Sequence, residues 1–473
     1  MNKFYITTPI YYVNAKPHIG HAYTTIAADV LARFYRQQLG KENVFFLTGT
    51  DEHGQKIQKV AEGAGKNPQE FVDEIADEFK VLWGKLDIEY DNFIRTTDES
   101  HKKAVQKVLQ TLYDKGAIYK GEYEGLYCVG CEQFKNESDL IDGKCPDHNT
   151  APELLKEESY LLKLTDVQPE LIAKIENDEF KIAPEKYKKE VLSFLKTQAL
   201  KDVSVSRKNV SWGIPLPFNE SHTTYVWVDA FLNYLTGLGW NGDEKKLPGR
   251  WPVDVNLIGK DILRVHATIW PVILMHLGIG LPKMLFTHGH ILSGGKKMSK
   301  TLGNTISIDE MLSKFGTDGT RYLLLSAGPF GGDIDVTMER MIEKYNADLA
   351  NGLGNLVSRV VTLSKQDNFK FSILNFQSIF NDSIFQLMLR LELGQALDYI
   401  WKIISNDNKF IEDNKPWELK KSDEKKFKEV MERLLGDLSK ISILLTPFMP
   451  ETSEKIKKAL ETKKVEPLFQ RIK

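Results

Sequence analysis

The first forty residues constrain the fold more than any other stretch. Lys3-Phe4-Tyr5-Ile6-Thr7 is a short apolar, β-branched and aromatic run that reads as a buried strand. Thr8 to His21 follows as a turn. Ala22 to Leu39 then carries apolar residues at helical spacing (Ile26, Val30, Leu31, Phe34, Leu39), with Gly40 as a stop. The unit repeats. Residues 43–54 read as a second buried strand ending in a Gly- and acid-rich loop, and helices are predicted over Gln55–Ala64 and Pro68–Leu86, the latter capped by Asn67. Phe93–Thr96 reads as a strand and Ser100–Tyr113 as a helix. Strand and helix alternating at this spacing predict a parallel α/β sheet. Such sheets bind ligands at the carboxyl ends of their strands, beside the turns into helices. The turn at 8–21 and Asp51 both fall there.

The pattern changes from about Gly116. Short aromatic and Gly-rich pieces surround three cysteines, and a Lys- and Glu-rich helical stretch covers Pro169–Ala199. We read 116–222 as an insertion between two halves of the sheet domain, 1–115 and 223–343. The α/β pattern resumes with strands expected at Thr223–Val228, Val255–Asp261 and Met284–Ile291. After Asp318 the chain is helical almost throughout (Arg321–Leu325, Glu339–Lys365, Ile379–Asn406, Asp423–Leu445), which predicts a C-terminal helical bundle over 344–473. With 473 residues and 42% apolar content, the chain can bury the cores of two or three domains. A net charge of -2 means that any RNA contact must use a local basic face. The longest apolar candidate, Trp270–Leu274, is broken by Met275-His276 and is too short for a membrane span. The N-terminus has no signal-peptide pattern, so the expectation is a cytoplasmic protein without membrane contact.

Three groups of residues carry chemistry. His18 and His21, three apart at a helix start, share a face. Free N–H groups and the helix dipole there suit a phosphate, and Gly20 lets a flat ring approach the backbone. Ser293 to Thr301 contains Gly294-Gly295 and then Lys297 and Lys300, which could close over a triphosphate. Read alone, either group is as well explained by ordinary surface residues. The third is Cys128-Val129-Gly130-Cys131 with Cys145-Pro146-Asp147-His148. Three thiolates and an imidazole form a closed tetrahedral set suited to one structural Zn²⁺. All three cysteines of the chain are used there. His288 and His290, two apart on the expected strand, face one way and could line a nucleotide site.

The His-Ile-Gly-His and Lys-Met-Ser-Lys strings are the two signatures of class I aminoacyl-tRNA synthetases. With Thr8–Asn14, Thr48–Gly54, Tyr225–Ala230 and Ile258–Ile262, the chain resembles the methionyl-tRNA synthetases over essentially its whole length, in their short, single-zinc-knuckle bacterial form. The resemblance implies a Rossmann-like catalytic domain split by a zinc-binding insertion and followed by an α-helical anticodon-binding bundle. It implies His18, His21, Lys297 and Lys300 as catalytic groups. ATP would be bound by His18, Gly20, His21, Gly259, Asp261, Lys297 and Lys300, with Mg²⁺. It places methionine among Ile10, Tyr12, Asp51, Trp227, Ala230, Tyr234, Ile262 and His266, with Asp51 on the ammonium. Anticodon reading would fall to Asn355, Arg359 and Trp417, and the partners would be ATP, L-methionine and initiator and elongator tRNA(Met). No module is expected beyond the bundle, so a monomer is expected. A nucleotidylyltransferase without RNA and a non-catalytic tRNA-binding paralogue remain as alternatives. The first leaves the cysteine insertion and helical tail unexplained, and the second leaves the two intact signatures unexplained.

Overall fold

The computed structural model describes residues 3–135, 137–146, 149–208, 210–298, 304–365, 369, 383–464 and 466–473. Its centre is a six-stranded sheet in the order Asn92–Arg95, Val44–Asp51, Phe4–Tyr12, Val255–Gly259, Met284–His288, Lys181–Ala183, with every neighbouring pair parallel. Both faces are covered, as all-parallel sheets require. Successive side chains of the first strand go to opposite cores: Phe4 and Ile6 to one, Tyr5 to the other. The first core takes in the Ile19–Leu39 helix and continues into the C-terminal helices. The second gathers Trp270, Phe231, Tyr234 and Leu112.

The chain leaves the central strand in opposite directions. Phe4–Tyr12 is followed outward on one side by Val44–Asp51 and Asn92–Arg95, and Val255–Gly259 lies on the other. The crevice at the carboxyl ends of these two central strands is the topological switch point, where open α/β sheets bind ligands.

Several expectations are corrected. The first strand runs on to Tyr12, past a register shift between Thr7 and Ile10 where Pro9 breaks the ladder. Only residues 13–18 turn before the helix at Ile19–Leu39. Thr223–Val228 is not a strand of this sheet. Asn219–Thr224 belongs to a small three-stranded antiparallel sheet, and Val226–Phe231 is helical. The β-prone Tyr-Val-Trp-Val string is overridden by tertiary contacts, since Val226, Val228, Ala230 and Phe231 are all buried and Asp229 is held between two histidines. Met284–Ile291 breaks after His288, because Gly289 is pressed against Asp333 and Ile291–Ser293 joins another sheet.

The segment 116–222 is not a unit apart. Ile118–Cys128 and Glu153–Leu162 form the long pair of a four-stranded antiparallel sheet that carries the cysteines. Within 168–197, however, the chain returns to the main sheet through Lys181–Ala183, which pairs with Met284–Phe286 between two short helices. Met338–Ser364 is one helical rod whose middle, Tyr345–Gly354, winds as a π-helix. The expected helix from Ile379 is two, Ser383–Leu389 and Leu393–Asn414, separated at Leu391 by a φ of 58°. Residues 379–382 lie outside the described residues.

Arg321 ties these parts together. It is fully buried and donates to Asp29 Oδ2 at 2.7 Å, to the carbonyls of Pro447 (2.9 Å) and Phe448 (2.8 Å), and to that of Leu86 at 3.1 Å. One guanidinium thereby links the first helix, the turn after Lys85 and the end of the Glu424–Leu445 helix. Among the described residues, no helix is long and apolar enough to cross a membrane.

Candidate active site

A cleft of about 1540 Å³ opens at the switch point. Of the residues expected there from sequence, Ile10, Tyr12, His18, Gly20, His21, Asp51, Trp227, Ala230, Tyr234, Gly259, Asp261, Ile262 and His266 all line it.

His18 is the N-cap of the first helix. Its Nδ1 accepts from the Gly20 N–H at 3.1 Å, His21 Nδ1 faces the His18 N–H at 3.3 Å, and the rings stack 3.7 Å apart. Part of the N–H set expected to be open at the helix start is therefore capped by the imidazoles themselves. A neutral ring that accepts at Nδ1 carries its proton on Nε2, so each histidine becomes a donor at the far nitrogen. Packing among His18, Tyr11 and Phe79 takes water from His21 and, with the neighbouring His18, holds its pKa well below the usual histidine value.

Asp51 ends its strand opposite Tyr12. Burial, with Asp229, Glu132 and Glu52 nearby, raises its pKa well above the usual carboxylate value. Its Oδ1 is buried without a hydrogen-bond partner among the described residues. Glu52, next in sequence, is a counter-example. Arg95 grips it at 2.7 and 2.9 Å, and Thr50 and Thr97 also donate to it. Glu52 is satisfied, and Asp51 is left to meet a cation.

Beside Asp51 the cleft is aromatic. Tyr234 donates to His266 Nε2 at 2.9 Å, and His266 Nδ1 lies 2.9 Å from the Ile262 carbonyl, which fixes the tautomer with the proton on Nδ1. Burial pushes the pKa of His266 down to about 4, so the ring is neutral at physiological pH. Trp227 and Phe231 meet it edge to face. The wall is polarizable and uncharged, suited to a thioether or another soft apolar group.

Also lining the cleft, Gly259 leaves room for Asp261, whose Oδ1 would lie 2.6 Å from a Cβ there. Asp261 is not a helix N-cap, because the following helix, Leu263–Leu277, has Ile262 at that position and no side-chain cap. His288 and His290 do not share a strand. His288 Nε2 lies 2.7 Å from Thr24 Oγ1 in the first helix. Lys297 closes a short antiparallel pair with Leu292, and Met298 lines the cleft. Lys300 lies outside the described residues.

The three cysteine sulfurs all lie within 4.8 Å of one another, and Cys131 Sγ is 3.5 Å from Cys145 Sγ. Thiolates on one tetrahedral Zn²⁺, at about 2.3 Å from the ion, lie about 3.8 Å apart, so the set fits a single zinc. His148, the expected fourth ligand, lies outside the described residues. Glu132, next to Cys131, is buried and reaches the cleft. Its carboxylate accepts from the Lys56 N–H at 2.7 Å, and its carbonyl accepts from Tyr225 Oη (2.5 Å) and Trp227 Nε1 (3.2 Å). Asp229 is held by His53 (2.6 Å) and His101 (2.7 Å), which keep its pKa low against the effect of burial. Sequence reasoning missed Glu132, His53 and His101, because each acts through contacts distant in sequence. Adjacency to Cys131 was the only available signal for Glu132.

In the bundle, Asn355 and Arg359 lie one turn apart at the surface. The Arg359 guanidinium sits 5.5 Å from the Trp417 ring and pairs with Glu412 at 2.7 Å. Trp417 is 40% exposed.

A parallel sheet with paired histidines at its central turn, a carboxylate on the next strand and a hairpin whose Met298 lines the cleft is the arrangement of a class I aminoacyl-tRNA synthetase. The family described as tRNA synthetases class I (M) matches residues 4–151 and 137–361. The methionine–tRNA ligase of Clostridium acetobutylicum is 45% identical over 473 residues, covering 97% of this chain and 73% of that protein. That of Thermotoga maritima is 41% identical, covering 96% and 74%. A solved structure of Mycobacterium tuberculosis methionyl-tRNA synthetase in complex with methionyl-adenylate superposes with a TM-score of 0.90 at 35% identity, covering 97% of this chain and 93% of the other. The chain belongs to the methionyl-tRNA synthetase family.

Proposed function

We propose that this chain joins L-methionine to ATP, giving methionyl-adenylate and pyrophosphate, and then transfers the methionyl group to the 3′ end of initiator and elongator tRNA(Met). The observation that carries the reading is the division of one cleft. The buried Asp51 carboxylate, whose Oδ1 has no partner among the described residues, and the neutral Trp227–His266 wall form one group, and the paired His18 and His21 donors with Asp261 form the other.

In this reading Asp51 takes the substrate ammonium, and Ile10, Tyr12, Trp227, Ala230, Tyr234, Ile262 and His266 surround the thioether. Asp261 accepts from the ribose hydroxyls beside Gly259. The methionine carboxylate attacks the α-phosphorus; an O–P bond forms as the bond to pyrophosphate breaks. No side-chain nucleophile is needed. His18 and His21 donate from Nε2 to phosphate oxygens, with Gly20 allowing close approach, and Lys297 and Lys300 neutralise charge that develops on the triphosphate with its Mg²⁺. A ribose hydroxyl of the terminal adenosine then attacks the acyl carbon and AMP departs. Cys128, Cys131 and Cys145, with His148, hold one Zn²⁺, which stabilises the insertion and supplies no reacting group. Asn355 and Arg359 hydrogen-bond anticodon base edges, and Trp417 stacks on an unpaired base.

Methionine-dependent ATP–pyrophosphate exchange tests the first step. It should be present in the wild type and strongly reduced in Lys300→Ala. Trp417→Ala should retain exchange and lose tRNA charging. Absence of exchange in the zinc-loaded wild type would overturn the reading.

A further inference from the structure

The segment Phe330-Gly331-Gly332-Asp333-Ile334-Asp335 has no part in the sequence motifs, yet it touches every element on the ATP side of the cleft. Asp333 is its centre. Both of its carboxylate oxygens take the Lys260 ammonium, at 2.7 and 2.9 Å, and Oδ1 also accepts from the His290 N–H at 2.8 Å. Lys260 lies between Gly259 and Asp261 in the turn at the end of the Val255–Gly259 strand, and His290 lies at the break before the hairpin that carries Lys297. The break is tight, since a side chain at Gly289 would collide with the Asp333 backbone.

Two residues on, Asp335 repeats the arrangement. Its Oδ1 accepts from the Gly295 N–H at the hairpin tip (3.1 Å), and Arg340 holds its Oδ2 (3.1 Å). Ile334 and Asp335 also pair in parallel with Ile291 and Leu292. At the other end of the segment, Phe330 stacks on Phe286 at 5.3 Å and meets Tyr23 of the first helix edge to face. Gly331, at a φ of 101°, packs on Pro184 at the sheet edge.

We propose that Phe330–Asp335 is a strap that fixes the nucleotide turn Gly259–Asp261 against the base of the Lys297 hairpin, with Asp333 as its positioning residue. The inference rests on the reading of this cleft as an ATP site. Asp333 touches no substrate; it acts through Lys260 and the His290 backbone. A carboxylate suits the position because it can accept from an ammonium and an amide together, which an amide side chain does less strongly. Small displacements of substrate-positioning groups have large effects on rate and binding, so a loose strap should show in ATP use.

The test compares Asp333→Asn, Lys260→Met, the double variant and Asp333→Glu in the zinc-loaded chain, by methionine-dependent ATP–pyrophosphate exchange. The wild-type exchange rate is read first and tests the ATP reading separately. Asp333→Asn is expected to raise the KM for ATP or lower kcat by roughly tenfold, leaving the KM for methionine within about twofold. Lys260→Met should do the same, the double variant should be no worse than the worse single, and Asp333→Glu should recover part of the loss. Equal changes in both KM values, or additive single effects, would overturn the proposal, as would an Asp333→Asn enzyme with wild-type ATP kinetics. Thermal unfolding of each variant identifies any misfolded protein, and in that case Asp333→Glu and Lys260→Met carry the test.

Discussion

Asp51→Asn isolates the charge of one carboxylate while keeping its shape. Oδ1 is buried, has no hydrogen-bond partner among the described residues, and lies near Asp229, Glu132 and Glu52. Arg95 already neutralises Glu52. An ammonium entering this site makes a desolvated, charge-assisted contact, for which truncation costs about 2–5 kcal/mol. Asparagine keeps one neutral acceptor, which retains about 1 kcal/mol. The expected loss is therefore about 1–4 kcal/mol, or roughly five- to nine-hundred-fold in methionine affinity. Exchange at saturating ATP, with methionine varied, measures it. The same acids and the same burial that raise the pKa of Asp51 favour a proton on it in the free enzyme. Methionine affinity should therefore rise with pH as that proton is lost, and Asp51→Asn should flatten the profile. The decisive control is the deaminated analogue 4-(methylsulfanyl)butanoate as a competitive inhibitor. It has no ammonium, so Asp51→Asn should leave its inhibition within about twofold of wild type or tighten it. Equal weakening of methionine and this analogue would refute ammonium recognition by Asp51.

Three further outcomes follow from the structure. Removing the metal with a strong chelator, or Cys131→Ser, should release about one equivalent of zinc and weaken methionine binding, since Glu132 next to Cys131 holds the Trp227 indole; metal analysis and methionine titration check both. Arg321→Met should destabilise the protein by about 3 kcal/mol, at the lower end for a broken buried pair because Asp29 keeps Arg33 at 2.8 Å. Urea unfolding followed by tryptophan fluorescence measures it, and a loss under about 1 kcal/mol would contradict it. His21, His266 and His288 all have folded pKa values below the ordinary 6.5, so the unfolded chain gains protons first as pH falls. Their stabilising contribution is present above pH 6.5 and is lost on acidification, for His266 down to about pH 4. Between pH 7 and pH 5 the loss from His266 should be about 2 kcal/mol, and His266→Phe should reduce the acid dependence of the urea midpoint.

The sequence alone determined the elements with a strong local signature. The buried first strand, the helix capped by Asn67, and the cysteine pairs are set by short-range periodicity, capping chemistry and ligand spacing. So is the placement of His18, His21 and Asp51 at strand ends, from which the ligand-binding crevice could be expected. Long-range packing decided the rest. The Tyr-Val-Trp-Val string has strand propensity and becomes a helix because His53 and His101, from two other elements, hold Asp229. Lys181–Ala183 is three residues long, too short to announce itself, and is a strand only because Met284–Phe286 offers it an edge. Of two adjacent acids, Glu52 and Asp51, nothing local tells which is free. Arg95, 43 residues further on, decides by taking Glu52. The residue types were written along the chain. Which of their charges are satisfied, and which are left open to a substrate, is a property of the tertiary structure, because a buried charge is fixed by the partners that the fold brings to it.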